Sequence, residues 1–232
     1  DIIHTNHLFL LTALVRKLFP DISVVATCHG TDLRQYNNCP HVRRFAKRYC
    51  TKLDKIIALT SDQKKDIGHL YGIPPNKIAV IGGGYDETVF TRAPKSPVGT
   101  VQILYAGKYN RSKGVVWLLK ALMKINRHDW HLHMAGSGSG PEYDHCIKLA
   151  ERLGPKVTNH GYVSQRMLAE LMQKAHVQVL PSFFEGLPLV LFEGLASGCR
   201  IITTRLSGFG EIFGGGKKRD HRSDSIAKIR NH

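Results

Sequence analysis

The sequence contains no apolar run approaching the roughly 20 residues that a membrane-spanning helix needs. It contains no Cys-x-x-Cys pair, and its five cysteines (Cys28, Cys39, Cys50, Cys146, Cys199) are odd in number. That pattern reads as free thiols in a reducing cytosol rather than a disulfide framework. No Asp-x-Asp occurs, so a divalent-metal clamp on a diphosphate has no obvious ligands. No glycine loop ends in Gly-Lys-Ser or Gly-Lys-Thr, which excludes a Walker A loop. Aromatic residues are 8% of the chain and no RNA-binding signature is present, which argues against nucleic acid as the main partner. Acidic residues are scarce, 18 against 33 lysines and arginines, giving a formal net charge of +15. Such a balance favours anionic partners, phosphates and acidic lipid surfaces among them, without choosing between them. No signal peptide is visible, but the chain begins at Asp1 rather than Met, so targeting is left open.

What is present is a chain of 232 residues, 42% hydrophobic, enough for one large domain or two small ones. Short apolar runs rich in β-branched residues alternate with helical patterns. Strands are predicted at 1–4, 22–28, 55–60 and 77–81, with helices at 7–19, 41–52 and 62–71. "TRAPKSPVGT" at 91–100 reads as a linker. A second series predicts strands at 101–107, 130–136, 156–160, 177–181 and 200–204, and helices at 114–125, 141–153, 164–175 and 187–198. Near-continuous apolar strands separated by helices imply parallel sheets covered on both faces. The expectation is an α/β fold of two doubly wound, Rossmann-like domains, with ligands at the C-terminal ends of the strands. The domains are expected over 1–92 and 100–213. The basic, glycine-led tail 214–232 is expected to be disordered.

The stretch "SFFEGLPLVLFEGLASG", Ser182–Gly198, places Glu185 and Glu193 in an otherwise apolar run. Pro188 suits the first turn of a helix, so Glu185 falls in the loop before it and Glu193 inside it. The backbone N–H groups around Leu187, Leu189 and Val190 would then be free for a phosphate. A glycosidase pair is disfavoured, because eight residues of helix span roughly 12 Å and such pairs need about 5–9.5 Å. Two readings stand: phosphates at the helix start with one carboxylate for hydroxyls on each side, or an exposed loop Glu and a buried Glu with a local partner.

The segment "PSFFEGLPLVLFEGLASGCRIITT" resembles the E-x7-E segment of the family-four retaining glycosyltransferases, which have the GT-B fold. The resemblance includes "HGTD" at 29–32, "GGGYDETVF" at 82–90, "YAGKYNRSKGV" at 105–115, "AGSGSG" at 135–140 and "HGYVS" at 160–164. It begins after the family's first strands and ends near Glu211, so the first domain is expected to be incomplete.

The resemblance implies roles. Glu185 would contact donor-sugar hydroxyls and Glu193 the ribose hydroxyls. Lys108 and Lys113 would grip the diphosphate, Lys108 standing where the family usually has arginine and so lacking the bidentate fork. Gly136 and Gly138 would let the nucleotide approach the backbone, Tyr162 would lie next to the base, and Leu189 and Val190 would offer backbone N–H groups. His29 would face the reacting sugar, with Asp32 organising its loop or contacting the acceptor. No metal and no cofactor are implied; the donor is a nucleoside diphosphate sugar and the acceptor a carbohydrate or lipid-linked hydroxyl. The implied reaction is transfer of a hexosyl group with retention. The alternatives are a GT-B nucleotide-sugar epimerase and a non-catalytic basic module binding membrane or nucleic acid. A cytoplasmic location is expected. Residues 41–53 carry Val42, Phe45, Tyr49 and Leu53 among five cations, either a core-packed stripe with a solvated face or a peripheral contact with anionic membrane at its inner face.

Overall fold

The computed structural model describes residues 1–96 and 99–206, and the backbone of residues 226–229. These residues form two compact units, Asp1–Gly83 with Glu185–Leu187, and Gly84–Phe184 with Pro188–Leu206 and the strand at 226–229.

In the first unit four parallel strands, β1 (Ile2–Asn6), β2 (Ser23–Thr27), β3 (Lys55–Ala58) and β4 (Ile78–Val80), pair in sequence order. The connecting helices are α1 (Leu10–Leu18), α2 (Thr31–Asn38), α3 (Pro40–Cys50) and α4 (Ser61–Tyr71). Val24, Ala26, Ile56 and Ala58 pack with Ala13, Ala46, Cys50, Ile67 and Tyr71 in one core. Helix α4 begins at Thr60, whose hydroxyl accepts from Gln63 N at 3.0 Å, and ends at Gly72 with φ +72°. Helix α2 was not expected, because "TDLRQYNN" is mostly polar, with only Leu33 and Tyr36 joining the hydrophobic core. Tertiary contact holds it: the Tyr36 ring lies 4.5 Å from that of Tyr71, and its hydroxyl donates to Leu70 O at 3.0 Å. The apolar stripe of α3 is core. Val42, Phe45 and Tyr49 pack against it and Leu53 is 1% exposed.

In the second unit six parallel strands run in the order β10-β9-β8-β5-β6-β7. They are β5 (Val101–Ala106), β6 (Trp130–Ala135), β7 (Val157–Gly161), β8 (Val177–Leu180), β9 (Arg200–Thr204) and β10 (Ile226–Ile229). The helices are α5 (Val115–Met123), α6 (Pro141–Arg152), α7 (Gln165–Lys174) and α8 (Leu189–Ala196). Strand order grows one way from β5 to β7 and the other way from β8 to β10. The reversal lies between β5 and β8, where a doubly wound sheet opens a crevice at its C-terminal edge.

Two expectations are corrected. Part of the 91–100 segment is bound to the second unit rather than free. Lys95 Nζ donates to Met172 O at 2.7 Å and Gln173 O at 2.9 Å, satisfying carbonyls at the end of α7, and Gln173 Nε2 donates to Thr91 O. The tail is not wholly without structure. Residues 226–229 pair parallel to β9, whose outer edge accepts the segment "IAKI" with its two β-branched isoleucines. The rest of 214–232 lies outside the described residues.

Candidate functional site

The crevice of the second unit is built by the loops after β5 and β8. Gly114 joins a 3-10 turn, Arg111–Lys113, to α5 at φ +69°. A Cβ on Gly114 would sit 2.1 Å from the carbonyl oxygen of Pro181, so only glycine permits this approach. Phe183 N donates to Ser112 O at 2.8 Å and ties the two loops together. Asn110 Oδ1 accepts from Lys113 N at 3.1 Å and Ser112 Oγ at 2.8 Å, which fixes the turn that carries Lys113. Lys113 is half-buried, and Lys108 and Arg111 are exposed. The loop after β5 thus carries three cations, and the Phe183–Ser112 bond ties it to the segment that leads toward α8.

Helix α8 is shorter than the expected 187–198. Pro188 stands outside its start as N-cap, and Gly198, at φ +83°, follows its end, with Cys199 N donating to Gly194 O at 2.8 Å. The first N–H groups of such a helix, those of Leu189 and Val190, have no acceptor within it. Glu193 is about one turn in. Burial pushes its carboxyl above the usual carboxylate range. Gln178 on β8 is fully buried and donates through Nε2 to Val190 O at 2.9 Å. Its Oε1 has no hydrogen-bond partner.

The expected glycines have packing reasons of their own. A Cβ on Gly136 would lie 1.8 Å from Gly107 O, and one on Gly138 2.8 Å from Tyr109 O. Gly107 N donates to Ala135 O, Tyr109 N to Ser137 O and Gly136 N to Gly161 O, at 2.9, 2.9 and 2.7 Å. These bonds knit the loops after β5, β6 and β7 into one rim. Tyr162 on that rim is 84% exposed. His133 and His160 bond each other at 3.0 Å, and His133 also bonds Gln102. Burial, then neighbouring His131, push the His133 imidazole down to about 4. Among the described residues no group of three His, Cys, Asp or Glu side chains is arranged to hold a metal.

The first unit carries His29 and Glu185. The His29 ring nitrogen Nε2 lies 2.9 Å from Asn6 Oδ1, within hydrogen-bond reach. Asp32 is fully buried and does not reach the surface. It accepts from Leu8 N at 2.6 Å and His29 N at 3.2 Å, tying the loops after β1 and β2 together. Its role is therefore organisational. Gly186 belongs to this unit, and a Cβ on it would meet His29 O at 2.2 Å. Three residues went unnoticed in the sequence: Asn6, His7 and Gln178. His7 holds φ +71° with its ring 5.0 Å from that of His29. The signal that could have found Gln178 is an amide inside an otherwise apolar, buried strand.

Residues 100–225 match the family of Glycosyl transferases group 1, and residues 1–89 match Glycosyltransferase Family 4. A glycogen synthase of Mycobacterium tuberculosis is 26% identical over 221 residues, 91% of this chain and 53% of that protein. A D-inositol 3-phosphate glycosyltransferase of Arthrobacter sp. is 33% identical over 176 residues, 69% of this chain and 42% of that protein. Among solved structures, sucrose-phosphate synthase from Thermosynechococcus elongatus aligns with TM-score 0.74 and 21% identity, over 91% of this chain and 58% of that one. Anabaena HepE in complex with UDP and glucose aligns with TM-score 0.70 and 17% identity, over 91% and 61%. At these identities the structures speak to the fold, which is that of GT-B glycosyltransferases. The chain spans about half the length of the curated relatives it matches.

Proposed function

The chain belongs to the group 1 glycosyl transferases, and on that premise we propose that it moves a hexosyl group from a nucleoside diphosphate sugar to an acceptor hydroxyl with retention at the anomeric carbon. The observation that carries the reading is the reversal of strand order at β5/β8, where the turn that carries Lys113 is tied to the loop after β8 and α8 starts with N–H groups that have no acceptor within the helix. Charge developing on a leaving diphosphate would be met by Lys108, Lys113 and the helix dipole, already oriented before reaction. Glu193 would accept from ribose hydroxyls and Tyr162 would lie against the base. Glu185 would hold donor-sugar hydroxyls and His29 would face the reacting carbon. No side chain is assigned as covalent nucleophile. The glycosidic C–O bond breaks to an oxocarbenium-like state, the acceptor oxygen bonds from the same face, and the leaving phosphate takes the acceptor proton. HepE, solved with UDP and with UDP-glucose, lends support to a uridine donor as the first to try. The test is NMR of the product formed from an α-linked sugar nucleotide. A new α-glycoside supports the proposal, and a β-glycoside or a C4-inverted sugar nucleotide refutes it.

The acceptor is proposed to be a carbohydrate or a lipid-linked hydroxyl, reached from the cytoplasmic face of an anionic membrane. On α1, Leu11 is 67% and Leu18 68% exposed, next to a helix, α3, whose Arg44, Lys47 and Arg48 are exposed. Arg43 is not part of that face, since its guanidinium bonds Tyr36 O and Asn37 O. Co-sedimentation with phosphatidylglycerol vesicles should fall when Arg44, Lys47 and Arg48 become Gln. Equal pelleting of both proteins would remove the membrane contact.

A further inference from the structure

Gln178 lies on β8, the strand that leads into the Glu185–Glu193 segment, and its side chain bonds α8. It is fully buried, and its Nε2 donates to Val190 O at 2.9 Å. Its Oε1 faces Gly194 so closely that a Cβ there would lie 1.6 Å away, and no hydrogen-bond donor reaches that oxygen. Val190 and Gly194 are four residues apart and share one face of α8, so one amide spans a full turn of it. Residue 193 projects about 100° around the axis from residue 194. Whatever fixes the 190/194 face against β8 therefore fixes the direction of Glu193.

We propose that Gln178 is a positioning residue for Glu193: wedged between Val190 O and the notch at Gly194, it sets the rotation of α8 that aims the carboxylate at the ribose hydroxyls. This rests on the reading of Glu193 as the ribose ligand. An amide with an unsatisfied buried oxygen is a costly way to fill a core position that a leucine could fill. The cost is explained if the bond to Val190 O holds the helix in one rotation, since an apolar contact lets the helix turn or slide.

The test is calorimetric. UDP, ADP and GDP are titrated first to find which nucleoside diphosphate binds, and that one is compared with its 2′,3′-dideoxy analogue. The ratio of the two affinities reads the hydroxyl contact alone. Gln178→Met keeps length and volume but cannot donate, and it should reduce the wild-type ratio about three- to tenfold, the worth of one hydrogen bond. Any loss of affinity for the dideoxy compound, through the Leu189 and Val190 N–H groups on the same helix, is common to both ligands and cancels in the ratio. Gln178→Leu serves where the Met variant fails to fold. A merely structural Gln178 would lower the melting temperature and leave the ratio at its wild-type value, which overturns the proposal. The same titration of Glu193→Gln separates the two layers. A wild-type ratio near one overturns the ribose reading and this inference with it. A ratio lost in Glu193→Gln but kept in Gln178→Met overturns this inference alone.

Discussion

Gly114→Ala tests the crevice through its backbone. Two costs add. An L-residue at φ +69° pays about 1–2 kcal/mol in the left-handed region. The new Cβ would also stand 2.1 Å from Pro181 O, a backbone atom that no rotamer change can move away. The loops after β5 and β8 must then part, and the 2.8 Å bond from Phe183 N to Ser112 O is lost for about another 1 kcal/mol. The sum is about 2–3 kcal/mol, or roughly 4–12 °C in melting temperature for a chain of this size. Gly154→Ala is the control. It has φ +60° but nothing within 4 Å of its Cβ, so it carries the backbone term alone, about 1–2 kcal/mol. Thermal melts of both variants, followed by nucleotide titration, form the assay. Gly114→Ala should lose both stability and nucleotide affinity, and Gly154→Ala should lose a little stability only. Equal melting temperatures and equal affinities in the two variants would refute the claim that this close approach shapes the site.

Lys113→Ala should weaken nucleoside diphosphate binding by about 1.5–3 kcal/mol by calorimetry, the range for a charge-assisted hydrogen bond; unchanged affinity would remove Lys113 from the site. Because burial raises the Glu193 carboxyl, the folded state holds its proton to higher pH than the unfolded chain, so this group costs stability as pH rises through and above the ordinary glutamate range. Glu193→Gln should therefore melt no lower than wild type at neutral pH while binding nucleoside and nucleotide more weakly; a lower melting temperature with intact binding would make Glu193 a structural partner instead. His133 shows the opposite trend, its folded value being depressed from 6.5 to about 4. The unfolded chain takes up the proton first, so stability present above pH 6.5 should fall as pH drops toward 4, by on the order of 1–2 kcal/mol after solvent screening. Urea melts of His133→Gln across that window should show a flatter profile, and a slope identical to wild type would discount the residue.

Strands were readable because each is a short run carrying β-branched residues, or in β6 other apolar ones, with turn residues beside it. "VQILYAG", "WHLHMAG" and "VQVLP" correspond to β5, β6 and β8, each strand ending one residue earlier. Their order could only be inferred from the α/β alternation, and the reversal at β5 and β8 matches it. Helix α2 was hidden because its sequence is mostly polar and its stability is tertiary, supplied by the Tyr36–Tyr71 contact. The pairing of Gln178 with Gly194 was hidden for a related reason: each residue looks unremarkable locally, and only the packing of α8 on β8 brings them together. The roles of the loop glycines were half-visible. The sequence suggests close approach at Gly136 and Gly138, and the neighbouring loop at Gly107 and Tyr109 makes that approach.

The central claim is that a nucleoside diphosphate sits on the start of α8, against the Lys113 turn. Amide spectra of the 15N-labelled chain, titrated separately with UDP, ADP and GDP, test it residue by residue. The account predicts that at least one of the three binds and that its saturable shifts are largest at Lys113, Leu189, Val190 and Glu193. Binding that leaves those four amides unmoved, or no binding of any of the three at millimolar concentration, would contradict it.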